Sequence, residues 1–395
     1  MFVGIANTPR DYAWGSNGAI SQLLGLQASG APEAELWLGA HPGSPSRITD
    51  PTQTGGAADL ATWIAADPGI ALGARWKGEP RLPFLLKILA AGSPLSLQAH
   101  PSAQQAIAGF AREHADGIPL AAPDRNYRDA YPKPEIIYAL ADGFEALCGF
   151  RPIAESHAEI SRLIELDVAG PESERGPLHR WLNETTPGSD LRPVLEWLLL
   201  KGSGVRDLVA RVVAIARANP EEFPTAVLLA DAYPGDPGIL ISLMLNRVTL
   251  RRGEVLYLPA GNIHAYLGGI GVELMTSSDN VLRGGLTPKH VDVTELLDVL
   301  DFTAVPLPYL RGKRLSDAVT LFTPADVDFE LLVVTGAGRI ALGGPAIVLC
   351  VDGAFGILGD HGERAVTVGE SYYVTPDESE LVFSGAGTIF VATSV

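Results

Sequence analysis

The chain has 395 residues, of which 47% are hydrophobic and 19% charged, so it is long enough for two or three domains with ample core. The formal net charge of −17 argues against nucleic acid or an anionic membrane as a partner, because both attract a surplus of Lys and Arg. An anionic substrate would therefore need a local pocket of positive charge.

Two further features predict the compartment. Cys148 and Cys350 both lie in apolar strand-like runs and are predicted to be buried free thiols, which fits a reducing environment. The first residues lack the basic start and long apolar core of a signal peptide, and no uninterrupted apolar run reaches the length that spans a membrane. We therefore expect a cytoplasmic protein, and we predict that it is a monomer.

Short strands separated by Gly and Pro are predicted for the first part of the chain. Its first sixty residues have the pattern of a β domain, in which Trp14 and Trp37 are interpreted as core aromatics and His41 as a structural residue. Residues 81–100 are predicted to form two buried strands joined by a Gly-Ser-Pro turn. Lys87 lies in the first of these strands and has two open interpretations: it extends its ammonium group to water at a sheet edge, or it serves a pocket.

The pattern then changes to a helix followed by a polar loop. Ser102 can cap a helix that ends by Gly117, because an apolar stripe recurs at helical spacing between them. The loop of residues 118–132 is polar and irregular, and loops of this length in compact domains are commonly functional. It leads directly into Lys133 and, two residues later, Glu135.

Helical periodicity dominates residues 152–234, whereas strand-like alternation resumes at residues 239–246. We therefore predict a β domain that is split in sequence, formed by residues 1–151 and 235–303, with residues 152–234 as an inserted helical domain. Strand-like segments with Gly-containing turns make up residues 304–395, which are predicted to form a smaller β domain.

Two stretches carry side chains that can bind a metal. Gln98 and His100 are two residues apart, which places both on one face of a strand. His264 ends the run Pro259-Ala260-Gly261-Asn262-Ile263-His264, in which Pro and Gly provide the fixed and the permissive dihedral angles of a tight turn. These stretches resemble the two cupin motifs, G-x5-H-x-H and G-x5-P-x-G-x-x-H, except that Gln98 stands in place of the first His.

A larger set of motifs resembles the type I mannose-6-phosphate isomerase family. It comprises Gln98-x-His100, Lys133-Pro134-Glu135, the turn that ends at His264, and the segment Ser-Asp-Asn-Val-Leu-Arg-Gly-Gly-Leu-Thr-Pro-Lys of residues 278–289. The resemblance implies a mainly β fold with an α insertion. Its parts would be a cupin (jelly-roll) catalytic domain, the inserted helical domain, and a second, degenerate, metal-free cupin-like domain at the C-terminus.

The resemblance also implies a reaction and the residues of its site. One Zn²⁺ per chain would be held by Gln98, His100, Glu135 and His264. The catalytic residues would be Arg283, Glu273, Lys133 and Asp279. The substrate-binding residues would be Ser96, Tyr266, Lys289 and Lys87. The enzyme would interconvert mannose 6-phosphate and fructose 6-phosphate through an enediolate and so supply mannose for nucleotide-sugar and glycan synthesis.

Some assignments remain open. Glu273 is preferred as the base that takes a proton from the sugar, with Asp279 and Lys133 as alternatives. Tyr131-Pro132 stand where the family commonly has Asn-His, so a ring-opening role of that His cannot be transferred to this chain. A cupin dioxygenase would instead hold Fe²⁺ with two His and one Glu and consume O₂. A cupin without catalytic activity would only bind sugar. The Gln ligand and the cations of residues 278–289 favour the isomerase.

Overall fold

The computed structural model describes residues 1–74, 80–167, 176–304 and 306–394. Most of the described strands belong to two large antiparallel sheets, one of nine and one of ten strands. Helices occupy much of the described chain between residues 153 and 242. The prediction of a mainly β fold with an α insertion is confirmed, and the cupin description of the two sheets stays a prediction.

The described strands and helices are the following. The strands are β1 (Phe2–Ala6), β2 (Ser16–Asn17), β3 (Pro32–Glu33), β4 (Glu35–Leu38), β5 (Arg47–Ile48), β6 (Phe84–Ala91), β7 (Gln98–Ala99), β8 (Glu135–Ala139), β9 (Phe144–Phe150), β10 (Leu245–Leu250), β11 (Val255–Leu258), β12 (His264–Thr276), β13 (Leu282–Arg283), β14 (Lys313–Arg314), β15 (Val319–Phe322), β16 (Phe329–Val334), β17 (Gly338–Ala341), β18 (Ala346–Leu358), β19 (Glu363–Thr367), β20 (Ser371–Val374) and β21 (Glu380–Ser394). The helices are α1 (Ala19–Leu23), α2 (Leu60–Ala66), α3 (Pro68–Leu72), α4 (Ala103–Ala115), α5 (Ile153–Leu166), α6 (Gly176–Glu184), α7 (Arg192–Leu199), α8 (Val205–Ala218), α9 (Pro224–Ala232), α10 (Gly238–Ser242) and α11 (Val293–Val299). None of these helices combines the length and the apolar character needed to cross a membrane.

The nine-stranded sheet carries the predicted metal ligands and is organised around β12. Its strand order, β10-β9-β12-β6-β4, places β12 at the centre, and β7 and β8 also pair with β12. The register sets His264 opposite Gln98 and Glu273 opposite Lys87. Antiparallel pairing thus brings together side chains that are as far apart in sequence as Gln98 and His264, which are separated by 166 positions.

The ten-stranded sheet joins the two ends of the described chain. β1 lies between β20 and β5, so it joins strands of residues 304–395 to β5, which the predicted division groups with β1 in residues 1–151. Val3 and Ile5 of β1 are buried in a core to which both large sheets contribute. This burial explains the position of β1, because apolar contacts between distant segments are not visible in the local sequence pattern. The other domain boundaries stay a prediction.

Helices α5 to α10 pack around a core that continues up to the metal-binding stretches. Trp181 and Leu195 are buried in this core, and Leu97, Ala99 and Ile263, which flank predicted ligands, belong to the same cluster. The helices therefore pack against the end of the nine-stranded sheet that carries the predicted metal ligands. The predicted helical domain includes residues 168–175, which lie outside the described residues.

The strand predicted for residues 239–246 is wrong in its first half. Gly238–Ser242 form α10, all of whose residues are buried, and β10 begins only at Leu245. A short apolar run has no polar face that would distinguish a helix from a strand by periodicity. Packing against α7 and α9 allows the run to be buried as a helix.

Helix α4 holds the loop that leads to the Lys-Pro-Glu stretch. Ser102 caps this helix as predicted. Glu113, which is buried on the helix, accepts hydrogen bonds from the backbone N–H groups of Asn126 and Tyr127 over 3.0 and 2.8 Å. The Tyr127 ring packs directly against Gly109, where a Cβ atom would overlap it. The loop is therefore fixed to α4 before it enters the site.

Replacing Gly109 by Ala should destabilise the protein, because the added methyl group would overlap the Tyr127 ring in a close-packed contact. We expect the free energy of unfolding, measured by urea denaturation, to fall by about 1–3 kcal/mol. Gly176→Ala is the matched control, because Gly176 is also helical and a Cβ atom there meets nothing within 4 Å. Equal stabilities of the two variants would show that Tyr127 moves aside without cost.

Candidate metal centre and active site

The four predicted metal ligands lie together at one end of the nine-stranded sheet. His100, Glu135 and His264 each offer a ligand atom, and these atoms lie within 4.8 Å of one another. All three residues are buried. The amide nitrogen of Gln98 lies 3.3 Å from His264 Nε2, and a half-turn of the amide presents its oxygen there instead.

Hydrogen bonds to the backbone orient both imidazoles toward the cluster. His100 Nδ1 lies 2.7 Å from the carbonyl oxygen of Asn280, and His264 Nδ1 lies 3.0 Å from that of Asn262. A carbonyl oxygen can only accept, so each Nδ1 carries a proton and each neutral ring has its free lone pair on Nε2. Burial, followed by the charge of Lys133, lowers the pKa of His100 to about 4. The His100 ring is thus neutral at pH 7, as a metal ligand must be.

The Glu135 carboxylate faces both imidazoles and one ammonium group. Oε1 lies 2.9 Å from Lys133 Nζ and 3.3 Å from His100 Nε2. Oε2 lies 3.4 Å from His264 Nε2. Burial would raise the pKa of Glu135, but the charge of Lys133, with contributions from the imidazoles, holds it well below its ordinary value. Glu135 is therefore ionised and able to bind a cation.

Two buried atoms of the cluster, His100 Nε2 and Glu135 Oε2, have no hydrogen-bond partner among the described residues. Such atoms are rare in folded proteins, because each has lost its hydration without compensation. A cation bound between the imidazoles and the carboxylate would satisfy both atoms. Imidazole nitrogen, carboxylate oxygen and amide oxygen form a donor set that suits a borderline divalent metal. The cluster therefore fits one metal ion.

A cavity of about 500 Å³ opens at the cluster, which is a size typical of small-molecule sites. The predicted residues that line it are Lys87, Ser96, Gln98, Lys133, Glu135, Tyr266, Glu273, Asp279, Arg283 and Lys289. The two remaining predicted residues, His100 and His264, are fully buried next to Gln98 and Glu135. The structure thus gathers all the predicted site residues in one region.

One wall of the cavity is a buried network of charges centred on Lys87. Its ammonium nitrogen lies 2.9 Å from Glu273 Oε2 and 3.2 Å from Glu35 Oε1. Burial would lower the pKa of Lys87, but the two carboxylates raise it above its ordinary value, so the group stays charged. Tyr266 donates to Glu273 Oε1 over 3.0 Å, and burial keeps the pKa of its phenol well above its ordinary value. Lys87 lines the cavity and is only 5% exposed, so its ammonium group does not extend to water at a sheet edge, and its service to the pocket stays a prediction.

Whereas Lys87 lies between two carboxylates, Arg283 and Lys289 lie near other positively charged side chains. Burial and then the charge of Arg128 lower the pKa of Arg283. Burial, Arg283 and Arg128 lower the pKa of Lys289. Partly buried cations that lie near one another favour the binding of an anion between them. This part of the cavity provides the local positive charge that an anionic substrate of an acidic protein requires.

The carboxylates of Glu273 and Asp279 differ in how far their oxygens are already engaged by neighbouring groups and in how exposed they are. Both oxygens of Glu273 already accept hydrogen bonds, from Lys87 and Tyr266, and the residue is 2% exposed. The side chain of Asp279 is 46% exposed, and its Oδ2 lies 3.3 Å from His41 Nε2. Burial would raise the pKa of Asp279, but the hydrogen bond and charge of His41, with Lys133 and Arg128, lower it below its ordinary value.

Several residues of the site are not identified by sequence reasoning. Glu35 binds Lys87, and Trp37 donates from Nε1 to Glu35 Oε2 over 3.1 Å. Trp37 and Trp14, interpreted as core aromatics, both line the cavity, as does His41. The only sequence signal for Glu35 is a carboxylate in an otherwise apolar strand, which is a weak indication by itself.

Comparison with known proteins covers nearly the whole chain. The family model of the phosphomannose isomerase type I catalytic domain matches residues 2–153. Mannose-6-phosphate isomerase of Salmonella typhimurium is 35% identical and covers 98% of this chain and 97% of its own. The protein of the same name from Homo sapiens is 32% identical, with 87% and 86% covered. A crystal structure of mannose 6-phosphate isomerase bound with zinc and yttrium has a TM-score of 0.85 and 32% identity, and the match covers 100% of this chain and 99% of that chain.

The chain belongs to the type I phosphomannose isomerase family. The family predicted from the motifs is therefore confirmed. Since 98% of the chain aligns with the Salmonella typhimurium protein, the relationship to phosphomannose isomerase includes the helical insertion and the C-terminal strands as well as the metal-binding stretches. The roles of individual residues stay predictions.

His264→Ala should abolish stoichiometric metal binding, because it removes one of the two imidazole lone pairs that face the cluster. We expect the affinity for the metal to fall by at least about 100-fold, since even residues that only orient ligands contribute 10- to 100-fold. Metal content is measured by elemental analysis, and retention of the fold by circular dichroism. His361→Ala is the control, because the side chain of His361 is 58% exposed and the residue lies between β18 and β19 of the ten-stranded sheet, not in the sheet that carries the cluster. A full metal equivalent in His264→Ala would remove His264 from the site.

Proposed function

We propose that the protein is a zinc-dependent aldose-ketose isomerase that interconverts mannose 6-phosphate and fructose 6-phosphate. The observation that carries the proposal is the oriented His100, Glu135 and His264 donor set at a cavity that is also lined by Arg283 and Lys289. Similarity to proteins named mannose-6-phosphate isomerase, one of them with zinc bound, supports the substrate and the metal.

Gln98, His100, Glu135 and His264 would hold the zinc ion. When bound, zinc supplies Lewis-acid stabilisation of the negative oxygens that develop during an isomerisation. The protein contributes the orientation of the ligands, since the Asn280 and Asn262 carbonyl groups fix both imidazoles.

The isomerisation requires a base that removes the proton from C2 and returns it to C1. Asp279 fits this role better than Glu273, because its carboxylate is ionised and partly open to the cavity. Both oxygens of Glu273 are engaged by Lys87 and Tyr266, so we assign this residue to the shape and charge of the cavity wall. Lys133 lies beside the ligand Glu135 and is placed to donate a hydrogen bond to a sugar oxygen.

The phosphate group of the substrate would bind near Arg283 and Lys289. Both side chains line the cavity, and burial together with neighbouring cations lowers the pKa of each, so a phosphate would stabilise their charged forms. Arg283 lies on β13 opposite Gln98, so it is close to the metal ligands as well and can stabilise charge on the reacting oxygens. Ser96 also lines this cavity and would contact the sugar.

We propose further that the protein acts in the cytoplasm as a monomer, with no nucleic acid or membrane partner. Cys148 and Cys350 are free and buried, which supports a reducing compartment. The net charge of −17 supports the absence of polyanionic partners.

The deciding experiment incubates the zinc-loaded protein with mannose 6-phosphate and measures fructose 6-phosphate in a coupled assay. We expect turnover that is lost after treatment with a chelator and restored by Zn²⁺. Oxygen uptake is measured in parallel with the iron-loaded protein. O₂ consumption without isomerisation would favour the dioxygenase, and sugar binding without turnover would favour a non-catalytic cupin.

Arg283→Ala should lower kcat by roughly 100-fold or more with metal content unchanged, because a cation that stabilises transition-state charge would be lost. Arg283→Lys should recover little of the loss, because an ammonium group cannot reproduce the planar fork of donors. Arg339→Ala is the control, because Arg339 is 68% exposed on the ten-stranded sheet. An increase in KM alone, with kcat unchanged, would make Arg283 a residue that only binds phosphate.

A further inference from the structure

His41 is a buried histidine of the cavity that takes no part in the metal cluster. It follows β4 and is 4% exposed. Its ring packs edge-on against Trp37, with 4.9 Å between the ring centroids and 85° between the planes. It lines the same cavity as Asp279. Packing against Trp37 therefore restricts the orientation of the imidazole.

Hydrogen bonds determine which nitrogen of His41 carries the proton. The backbone N–H of Gly43 donates to Nδ1 over 3.1 Å. A ring nitrogen that accepts a hydrogen bond has no proton of its own, so the neutral imidazole carries its proton on Nε2. Nε2 lies 3.3 Å from Asp279 Oδ2. The nitrogen of His41 that carries the proton is thus the one that faces the Asp279 carboxylate.

Asp279 is held at its backbone and at its carboxylate by different partners. Its N–H donates to Asp129 Oδ2 over 2.8 Å. Among the described residues, the His41 imidazole lies against its carboxylate. Because the side chain is 46% exposed, the carboxylate would be free to rotate toward solvent without this contact.

We propose that His41 is a positioning residue, which holds the Asp279 carboxylate in the orientation that accepts a proton from the sugar phosphate. The proposal rests on the isomerase function given above and names the residue through which Asp279 is aligned. The C2–H bond breaks, its electron pair forms the C1=C2 double bond while the π pair of C1=O1 moves to O1, and the proton binds to an Asp279 oxygen. A proton then moves from O2 to O1, the C2=O2 double bond forms, and the electron pair of C1=C2 takes the proton from Asp279 at C1, so the step requires no further reactant.

The first test compares donor-free and donor-bearing variants in the zinc-loaded protein. His41→Phe removes the donor and keeps an aromatic ring against Trp37, whereas His41→Gln keeps an N–H group at a similar reach. We expect His41→Phe to lower kcat roughly 10- to 100-fold, the usual effect of an outer hydrogen-bond partner, with KM and zinc content unchanged. His41→Gln should recover most of this loss. Parent-like kcat in His41→Phe, or equal kcat in both variants, would overturn the proposal.

The second test asks whether His41 acts through Asp279. In an Asp279→Asn background, adding His41→Phe should lower kcat by less than about 2-fold, because the partner of His41 is already changed. A further loss as large as in the parent protein would contradict the proposal.

If His41→Phe does not fold, His41→Asn replaces it, because its shorter side chain keeps an acceptor for Gly43 and cannot reach Asp279. An unsubstituted protein that does not convert mannose 6-phosphate would refute the proposed function instead, so the two failures are distinguishable.

Discussion

The pairing register of β12 is the constraint on which the site depends. His264 stands at the start of this strand opposite Gln98, and Glu273 stands further along it opposite Lys87. Because side chains alternate between the faces of a strand, a slip of β12 by one residue would turn His264 and Glu273 away from the cavity. Pairing with strands on both sides of β12 and burial of its apolar residues hold the register in place.

The register also places buried charges where each has a partner. Lys87 lies between Glu35 and Glu273, and Lys133 lies against Glu135. Ions without such partners would carry a large desolvation cost in this interior. Two atoms of the metal cluster remain without hydrogen bonds, so electrostatic balance is incomplete at the point where a cation fits. The charges of the cavity wall are thus paired with one another, whereas two polar atoms of the cluster lack a partner among the described residues. This difference distinguishes the structural charges of the wall from the groups that we propose to be reactive.

Backbone groups of residues that do not line the cavity orient the side chains that we propose to be reactive. The Asn280 and Asn262 carbonyl groups direct the two metal-binding imidazoles, and Gly43 fixes the proton of His41 on the nitrogen that faces Asp279. Backbone groups serve this purpose well, because their positions are set by the fold and change little with side-chain motion. The helical core behind Leu97 and Ile263 and the packing of α4 on the loop before Glu135 give those backbone groups a rigid support.

The sequence by itself determined the family and the helix of residues 103–115 and predicted the metal ligands, because each depends on local spacing. Residues two positions apart on a strand share a face, and a Pro-x-Gly turn has few conformations. A Ser with a Gln three positions later caps a helix. Only the tertiary structure decided the place of β1, the helical form of residues 238–242, and the contacts of Lys87, Glu273 and His41. Each of these depends on which distant segment lies opposite. A lysine in an apolar strand becomes a buried ion only when β4 and β12 bring Glu35 and Glu273 to it, and a histidine becomes a partner of Asp279 only through a contact across 238 positions of the chain.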